Sequence, residues 1–526
     1  MKHDDLLRTA RERMSLAADA DRENREMALS DLRMIAGLDH WDPKVEEQRK
    51  NDNRPCLTIN RLPQFVRQVT GDLRAMNPAI NVMAGDNAAS AEVAEVYEGL
   101  IRHIQYRCDA SSVYERAGID AASCGMGYFR VLTDYVDSDS FDQEILIKSI
   151  PNPFSVYFDP DASLPTREDA RWCFITEPMS KKDFEKAYPG KKIDPVETDS
   201  ADAMEHWRDS DDVVVAEYFW LEAYEVAISQ LPDGRVVEGK FEGAPSRTAT
   251  RNRVMWAKIS GAEVLEGPVE WSGKYIPIIA VMGEELHVGD RVFRSSVIRH
   301  AKDPQRLYNY WRSAQTELVA LQPKAPFLVT ADQIKGLEKF WAGANTENRP
   351  YLPFNVDNKA PGLVPQRQNP PMPSAGMMQE IGIADGDMKA TTGIYDSSLG
   401  ERSNEASGVA IRQRQMESDV STSVYSDHVG KAVERCGRII VDLIPRVYDT
   451  TRQVRILGKD DAQQLVEVNR PMLGPEGPTI RNDLRSGRYD VRVSVGPNYA
   501  TKRQETVQSL MEFVKAFPAR APSLAT

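Results

Sequence analysis

The sequence predicts an α+β chain: helices first, then a strand-rich body, then a second helical region. Three observations carry that reading. Apolar side chains keep helical spacing through much of the first 107 residues, whereas residues 128–281 break into short β-branched and aromatic runs with turn residues between them. Residues 404–447 then hold a helical seam far longer than an ordinary helix. With 526 residues and 41% hydrophobic content, the chain has room for several folded domains.

Residues 4–36 read as a helix with a discontinuous apolar side, formed by Leu7, Ala10, Met14, Met27, Leu32 and Ile35, and Gly37 is its stop. The segment 53–60, N-R-P-C-L-T-I-N, is too short and irregular for a helix interior. Pro63 opens a helical run through Phe65, Val66, Val69 and Leu73 that ends near Asn77-Pro78, and a further helix covers about 89–107. Strands follow at 128–135, 144–150, 155–158, 172–176, 213–220, 251–259, 263–265 and 276–281, with a turn at Pro232-Asp233-Gly234.

Asp303-Pro304 is a helix start, with Asp as the N-cap and Pro at the first helical position. Leu307, Tyr308, Trp311, Ala314, Gln315 and Leu318 continue it at helical spacing until Pro323, a helix of about 18 residues and roughly 27 Å. Residues 349–373 hold seven prolines, a composition unsuited to regular structure on its own. A helix over 374–391 carries Met377, Ile381, Ala384 and Met388 and is weakened by Gly382 and Gly386.

The seam over 404–447 runs through Val409, Met416, Val420, Val424, Val429, Val433, Cys436, Ile440, Leu443 and Val447. A helix of that length reaches about 65 Å, and a small domain of the same chain is not expected to cover it. It reads as a coiled-coil element or as a helix buried between subunits. Strands at 453–457 and 489–495 and a helix at 502–517 complete the chain, and no repeat of solenoid period is visible.

Sixty-six Lys and Arg stand against 79 Asp and Glu, a net charge of −13. A protein that wraps DNA by neutralising phosphates carries a basic excess or a basic face, so this balance argues against tight wrapping. It is compatible with DNA passing along a like-charged wall. Cys56, Cys108, Cys124, Cys173 and Cys436 are odd in number, scattered and without a C-x-x-C pair, which gives neither a disulfide framework nor a zinc site and suits a reducing compartment. Residues 1–14 are densely charged with no apolar signal core. The longest apolar stretch, 275–282, is far short of the roughly 20 residues a bilayer span needs.

No catalytic signature assembles. The Walker A pattern, G-x-S-x-G and H-E-x-x-H are all absent, and Gly125-Met126-Gly127 precedes a strand where a dinucleotide fingerprint would follow one. The seven histidines (His3, His40, His103, His206, His287, His300 and His428) are isolated, each expected to be exposed or singly hydrogen-bonded. Asp159, Asp161, Glu168 and Asp169 are the one cluster that could serve a metal-dependent nuclease. Phe158-Asp159-Pro160-Asp161 is equally the pattern of an Asx turn ending a strand, and that reading is preferred.

Several pieces taken in series are more informative. Trp41 is followed by R-x-x-x-x-R-P-x-L-T-I-N through Asn60; a Trp311-bearing helix enters a proline-rich segment; S-N-E-A-S-G-V-A-I-R over 403–412 opens the long helix. D-P-D-A at 159–162 precedes D-A-R-W at 169–172, and the run 489–497 ends in V-G-P. This series resembles the phage portal proteins of the short-tailed, podovirus type, over nearly the whole chain. The resemblance implies a portal-type fold and a ring, usually of about twelve copies, at one capsid vertex, through which double-stranded DNA is packaged and ejected.

It further implies a mixed α/β wing over 1–299, stem helices at 300–322 and 374–392 and a small α/β clip at 323–373. A channel loop at 393–407, a spine helix at 408–449, wing return strands at 450–500 and the start of a crown at 501–526 would follow, the chain ending about where a crown begins. Its partners would be further copies of the chain, the major capsid protein, the large subunit of terminase and then a tail adaptor or head-completion protein. No membrane, cofactor, metal or catalytic residue is expected. A virion location follows, with assembly in the host cytoplasm.

Within that frame Lys324, Phe327, Phe340, Trp341, Tyr351 and Phe354 are expected to bind partners at the clip. Lys389, Arg402, Arg412 and Arg414 are expected near DNA in the channel, touching phosphates without reading bases. Arg412 and Arg414, two apart on a helix, cannot both face the lumen. A virion scaffold that forms rings without being a portal is the remaining alternative to the portal and nuclease readings.

Overall fold

The computed structural model describes residues 3–86, 89–192, 208–209, 212–230, 236–241, 243–289, 291–321, 327–344, 347, 349–357, 359, 362–368, 375–395, 408–458, 463–474 and 477–496, with the helix over 408–422 given by its backbone alone. Helix and antiparallel sheet are both abundant, so the chain is α+β as expected. It divides into two compact units: Met1–Leu29 with Val66–Val297 and Gln415–Thr526, and Ser30–Phe65 with Ile298–Arg414.

The first unit is built on a seven-stranded antiparallel sheet, counted among the described residues. Its main path runs Val264–Glu270, Ser246–Ser260, Asp212–Gln230, Trp172–Ser180 and Val156–Phe158. The start of the helix His3–Ile35 lays Leu6, Leu7, Ala10, Met14 and Ala17 on Trp172, Phe174, Tyr218 and Trp220. Phe174 and Tyr218 stack there with ring centres 4.4 Å apart. Farther along that helix Met27 is exposed and Leu32 only half-buried, so the expected seam is real at its start and shifts to Ala28 and Met34. Asp212–Gln230 and Ser246–Ser260 run longer than the apolar runs that announce them. Beyond Leu221 they continue as a ribbon of mixed polarity with cross-strand pairs such as Arg253 to Glu222, 2.7 Å, which alternation cannot signal.

A three-stranded sheet orders Ile278–Met282, Met126–Tyr135 and Gln143–Ser149, and the helix Ala110–Cys124 packs on it. Asn77–Ala84 pairs antiparallel with Tyr489–Gly496, joining the two ends of the unit. The helix Gly408–Val447 runs unbroken in the region expected for it. From Tyr425 onward, however, its seam is covered by its own chain. Val429, Ala432, Val433, Cys436, Ile440, Leu443 and Ile444 are all buried, Gly118 sits against Val429, and Gly437 sits against Ile80 and Val491. Length alone overstated the case for burial between subunits, because strands distant in sequence supply the missing cover.

In the second unit the helices Lys302–Leu321 and Ala375–Thr392 pack on each other. The 3-10 turn Arg299–Ala301 leads directly into the first, so Asp303 lies inside the first turn and is not the N-cap. Gly382 and Gly386 interrupt nothing, and Ala384 and Met388 are buried as expected. Gly37 ends the N-terminal helix at φ +87°, a conformation open to glycine at little cost. The turn at 232–234, Pro323 and the helix at 502–517 lie outside the described residues.

Candidate functional site

The four clustered carboxylates are each committed elsewhere. Asp159, 2% exposed, accepts from the backbone N–H of Asp161 at 3.3 Å and from Arg171 Nε at 2.7 Å. That is the Asx turn read from the sequence. Asp161 pairs with Arg171 as well. Asp169 accepts from Ser163 N at 2.7 Å and from Leu164 N, closing the same loop, and these bonds hold its carboxyl below the usual range despite some burial. Glu168 pairs with Arg435 at 3.3 Å, on the long helix. Asp159 and Asp161 share Arg171 while Glu168 and Asp169 are held elsewhere, so the four do not converge on an ion, and no metal-ligating group of three is present among the described residues.

A cleft of about 550 Å³ lies between the N-terminal helix, the segment 156–162 and the hairpin of Glu284–Val288 with Arg291–Ser295. Its inner arginines are also engaged. Arg25 donates to Phe154 O at 2.7 Å, and Arg294 pairs with Asp21.

The motif over 41–60 acquires a physical meaning in the second unit. Leu57 N donates to Ser313 Oγ at 2.9 Å, Ile59 N to Asn309 Oδ1 at 3.0 Å, and Arg61 N to Gln305 Oε1 at 2.8 Å. Two residues of extended chain advance about 6.6 Å and one turn of four helical residues about 6 Å, so alternate amides match successive turns of Lys302–Leu321. Gln305, Asn309 and Ser313 are fully buried polar side chains spent on this ladder. Pro55 and Pro63 occupy the next two places in the same two-residue rhythm. A slip of one rung either way would set a proline nitrogen, which has no hydrogen, against Ser313 or Gln305, so the register is locked at both ends.

The rest of the motif braces this strap. Arg49 donates to Pro55 O at 2.9 Å and lies over the rings of Trp41 and Tyr310. Arg54 reaches Glu317 at 3.0 Å, and Trp41 Nε1 donates to Leu57 O at 3.3 Å. His40 is buried and doubly bonded, to Met34 O and to Asn309, which corrects the expectation that each histidine would be exposed or singly bonded.

The proline-rich insertion is irregular yet tied down. Phe327–Leu328 pairs with Gln366–Arg367. Buried Gln333 of the short helix Ala331–Ile334 accepts from Thr330 N and donates to Leu363 O, and its carbonyl accepts from Asn355 N. Thr330 Oγ1 donates to Asp357 at 2.8 Å. Side-chain-to-backbone bonds therefore order a segment that composition alone would leave loose.

Phe327 and Trp341 meet edge to face at 5.4 Å, and Trp341 Nε1 donates to Pro353 O. These two are partly buried, whereas Phe340, Phe354 and Tyr351 are exposed, Tyr351 at 75%. Leu328, Val356, Leu363 and Val364 add further exposed apolar surface. Lys324 lies outside the described residues.

Of the channel candidates, Lys389 is largely buried and paired with Asp385 at 2.9 Å, and Arg61 pairs with the same carboxylate. Arg402 and most of the linker before the long helix lie outside the described residues. Arg412 and Arg414 fall on the helix where only the backbone is given.

Two comparisons bear on what this arrangement is for. The family model of the phage P22-like portal proteins matches residues 11–526. The portal protein of Acyrthosiphon pisum secondary endosymbiont phage 1 is 29% identical over 506 residues, spanning 89% of this chain and 69% of that protein.

Proposed function

The chain belongs to the phage P22-like portal protein family, and from that premise we propose that it forms a closed ring at one capsid vertex, through which viral double-stranded DNA passes during packaging and ejection. Members of this family are structural rather than enzymatic. On this reading ATP hydrolysis belongs to terminase, and the portal supplies a seat and a passage.

The packed helices Lys302–Leu321 and Ala375–Thr392 serve as the stem, the insertion between them as the clip, residues 1–299 and 450–500 as the wing, 393–407 as the channel loop, 408–449 as the spine and 501–526 as the start of a crown. The observation that carries the reading is the insertion itself. It is held by its own hydrogen bonds while Tyr351, Phe354, Val356 and Val364 remain exposed, so it does not need those side chains for its own packing. Neighbouring clips, the large terminase subunit and later a tail adaptor are the partners that would cover them, while the wing meets the major capsid protein. A net charge of −13 fits a wall that DNA slides past, with Arg402, Arg412 or Arg414 making local phosphate contacts in the channel. Lys389, already paired with Asp385, serves the stem more than the channel.

Deleting residues 345–372 is the direct test. The variant should still fold and assemble, and should lose terminase binding in a pull-down or surface-plasmon assay. Binding at the wild-type level would remove the clip assignment.

A further inference from the structure

The strap over 57–61 is held by a hydrogen-bond relay whose direction is fixed from end to end. Asn309 Oδ1 accepts from Ile59 N at 3.0 Å and from Gln305 Nε2 at 3.1 Å, so the other end of that amide is its NH2. The NH2 lies 3.1 Å from His40 Nδ1, which must therefore be unprotonated and accept. His40 Nε2 carries the proton and donates to Met34 O at 2.9 Å. Gln305 closes the relay, donating to Ile59 O and accepting from Arg61 N. All of these groups belong to one compact unit, and His40, Asn309 and Gln305 are buried.

We propose that His40 is an acid-sensitive latch: when its imidazole takes a second proton, the strap is released from the helix Lys302–Leu321. Protonated Nδ1 would point an N–H at the Asn309 NH2, donor against donor. Turning the amide over satisfies the imidazolium but sets the NH2 against Ile59 N–H and Gln305 Nε2, so the central rung is lost whichever way Asn309 faces. The prolines at 55 and 63 deny the strap an alternative register, so it opens rather than slides.

The charged groups facing His40 are Asp39 on its own turn and Arg306 on the helix, and Asp39 is itself paired with Arg33. Burial is the largest influence on His40 and makes it a weaker base than usual. Arg306 acts in the same direction, while the Met34 carbonyl and Asp39 oppose. A histidine less basic folded than unfolded lends stability that is fully present above the unfolded value near 6.5. That stability is lost as pH falls from there toward the lower folded value, so release belongs to mild acid and not to alkali.

Hydrogen exchange of the full chain, read by mass spectrometry between pH 8 and pH 5 and corrected for intrinsic rates, tests the latch without any substitution. Peptides covering 57–61 should lose protection as pH falls below about 6.5, by up to about tenfold per pH unit, and level off at the lower folded value of His40, while the buried helix over 425–447 keeps its own. Asn309→Asp supplies a carboxylate that can accept from both Ile59 N and protonated His40, so this variant should stay latched at pH 5. Flat protection across the range, a loss that begins only at the pH 5 end where carboxylates start to titrate, or release of Asn309→Asp at the wild-type pH would each overturn the proposal. Should that variant fail to fold, the wild-type pH dependence alone decides.

Discussion

Gly127→Ala is expected to cost the chain the fold of its first unit. A Cβ at position 127 would stand 1.9 Å from the backbone oxygen of Ala117 and 2.8 Å from its carbonyl carbon. That oxygen belongs to a helix, and Gly127 sits in a strand paired with Val281 across the three-stranded sheet, so neither neighbour can yield alone. The penalty should meet or exceed the ~1–3 kcal/mol usual for overpacking, seen as a fall in the denaturant midpoint or as loss of soluble protein. Gly71→Ala is the control, because nothing lies within 4 Å of its added methyl group. An unchanged midpoint for Gly127→Ala would mean that the helix and sheet are not packed this closely.

The second large effect is expected at Asp31. Its carboxylate is fully buried, with Arg299 at 2.7 Å and Lys302 at 2.8 Å. Asp31→Ala would leave two largely buried cations without their counter-charge, at a cost of about 3–5 kcal/mol. The loss should appear as a lower thermal midpoint of the second unit. Arg33→Ala removes one charge from a surface pair with Asp39 and, on a helix, should leave the midpoint nearly where it was. Equal effects from the two substitutions would contradict the burial described for Asp31.

Local signals were legible in the sequence wherever neighbours in the chain decide the structure. Gly37 stops a helix, Pro63 stands at the start of another, and the helices near 302–321, 375–392 and 408–447 lie where periodicity puts them. What periodicity missed depends on partners far away. Asn77–Ala84 is a strand only because Tyr489–Gly496 lies beside it, and Asn77-Pro78 reads locally as a helix end. The helix Ala110–Cys124 is rich in small residues and buries most of them against a sheet, leaving little apolar stripe to detect.

On Lys302–Leu321 the apolar series marked only part of the buried face: Tyr308 is buried as the spacing implies. Leu307 belongs to the apolar series yet is half exposed, while the polar Gln305, Asn309 and Ser313, which lie outside that series, are fully buried under the strap. Their partners are backbone amides, which no hydropathy pattern encodes. The carboxylate cluster was legible as a turn because an Asx turn is a local motif.

The account rests centrally on assembly: a chain of this family works as one subunit of a closed ring. Native mass spectrometry of the purified full chain at micromolar concentration measures that most directly. The expected result is one dominant species at the mass of a closed cyclic assembly, about twelve copies of the 59.0 kDa chain. Monomers and dimers alone under those conditions would contradict it.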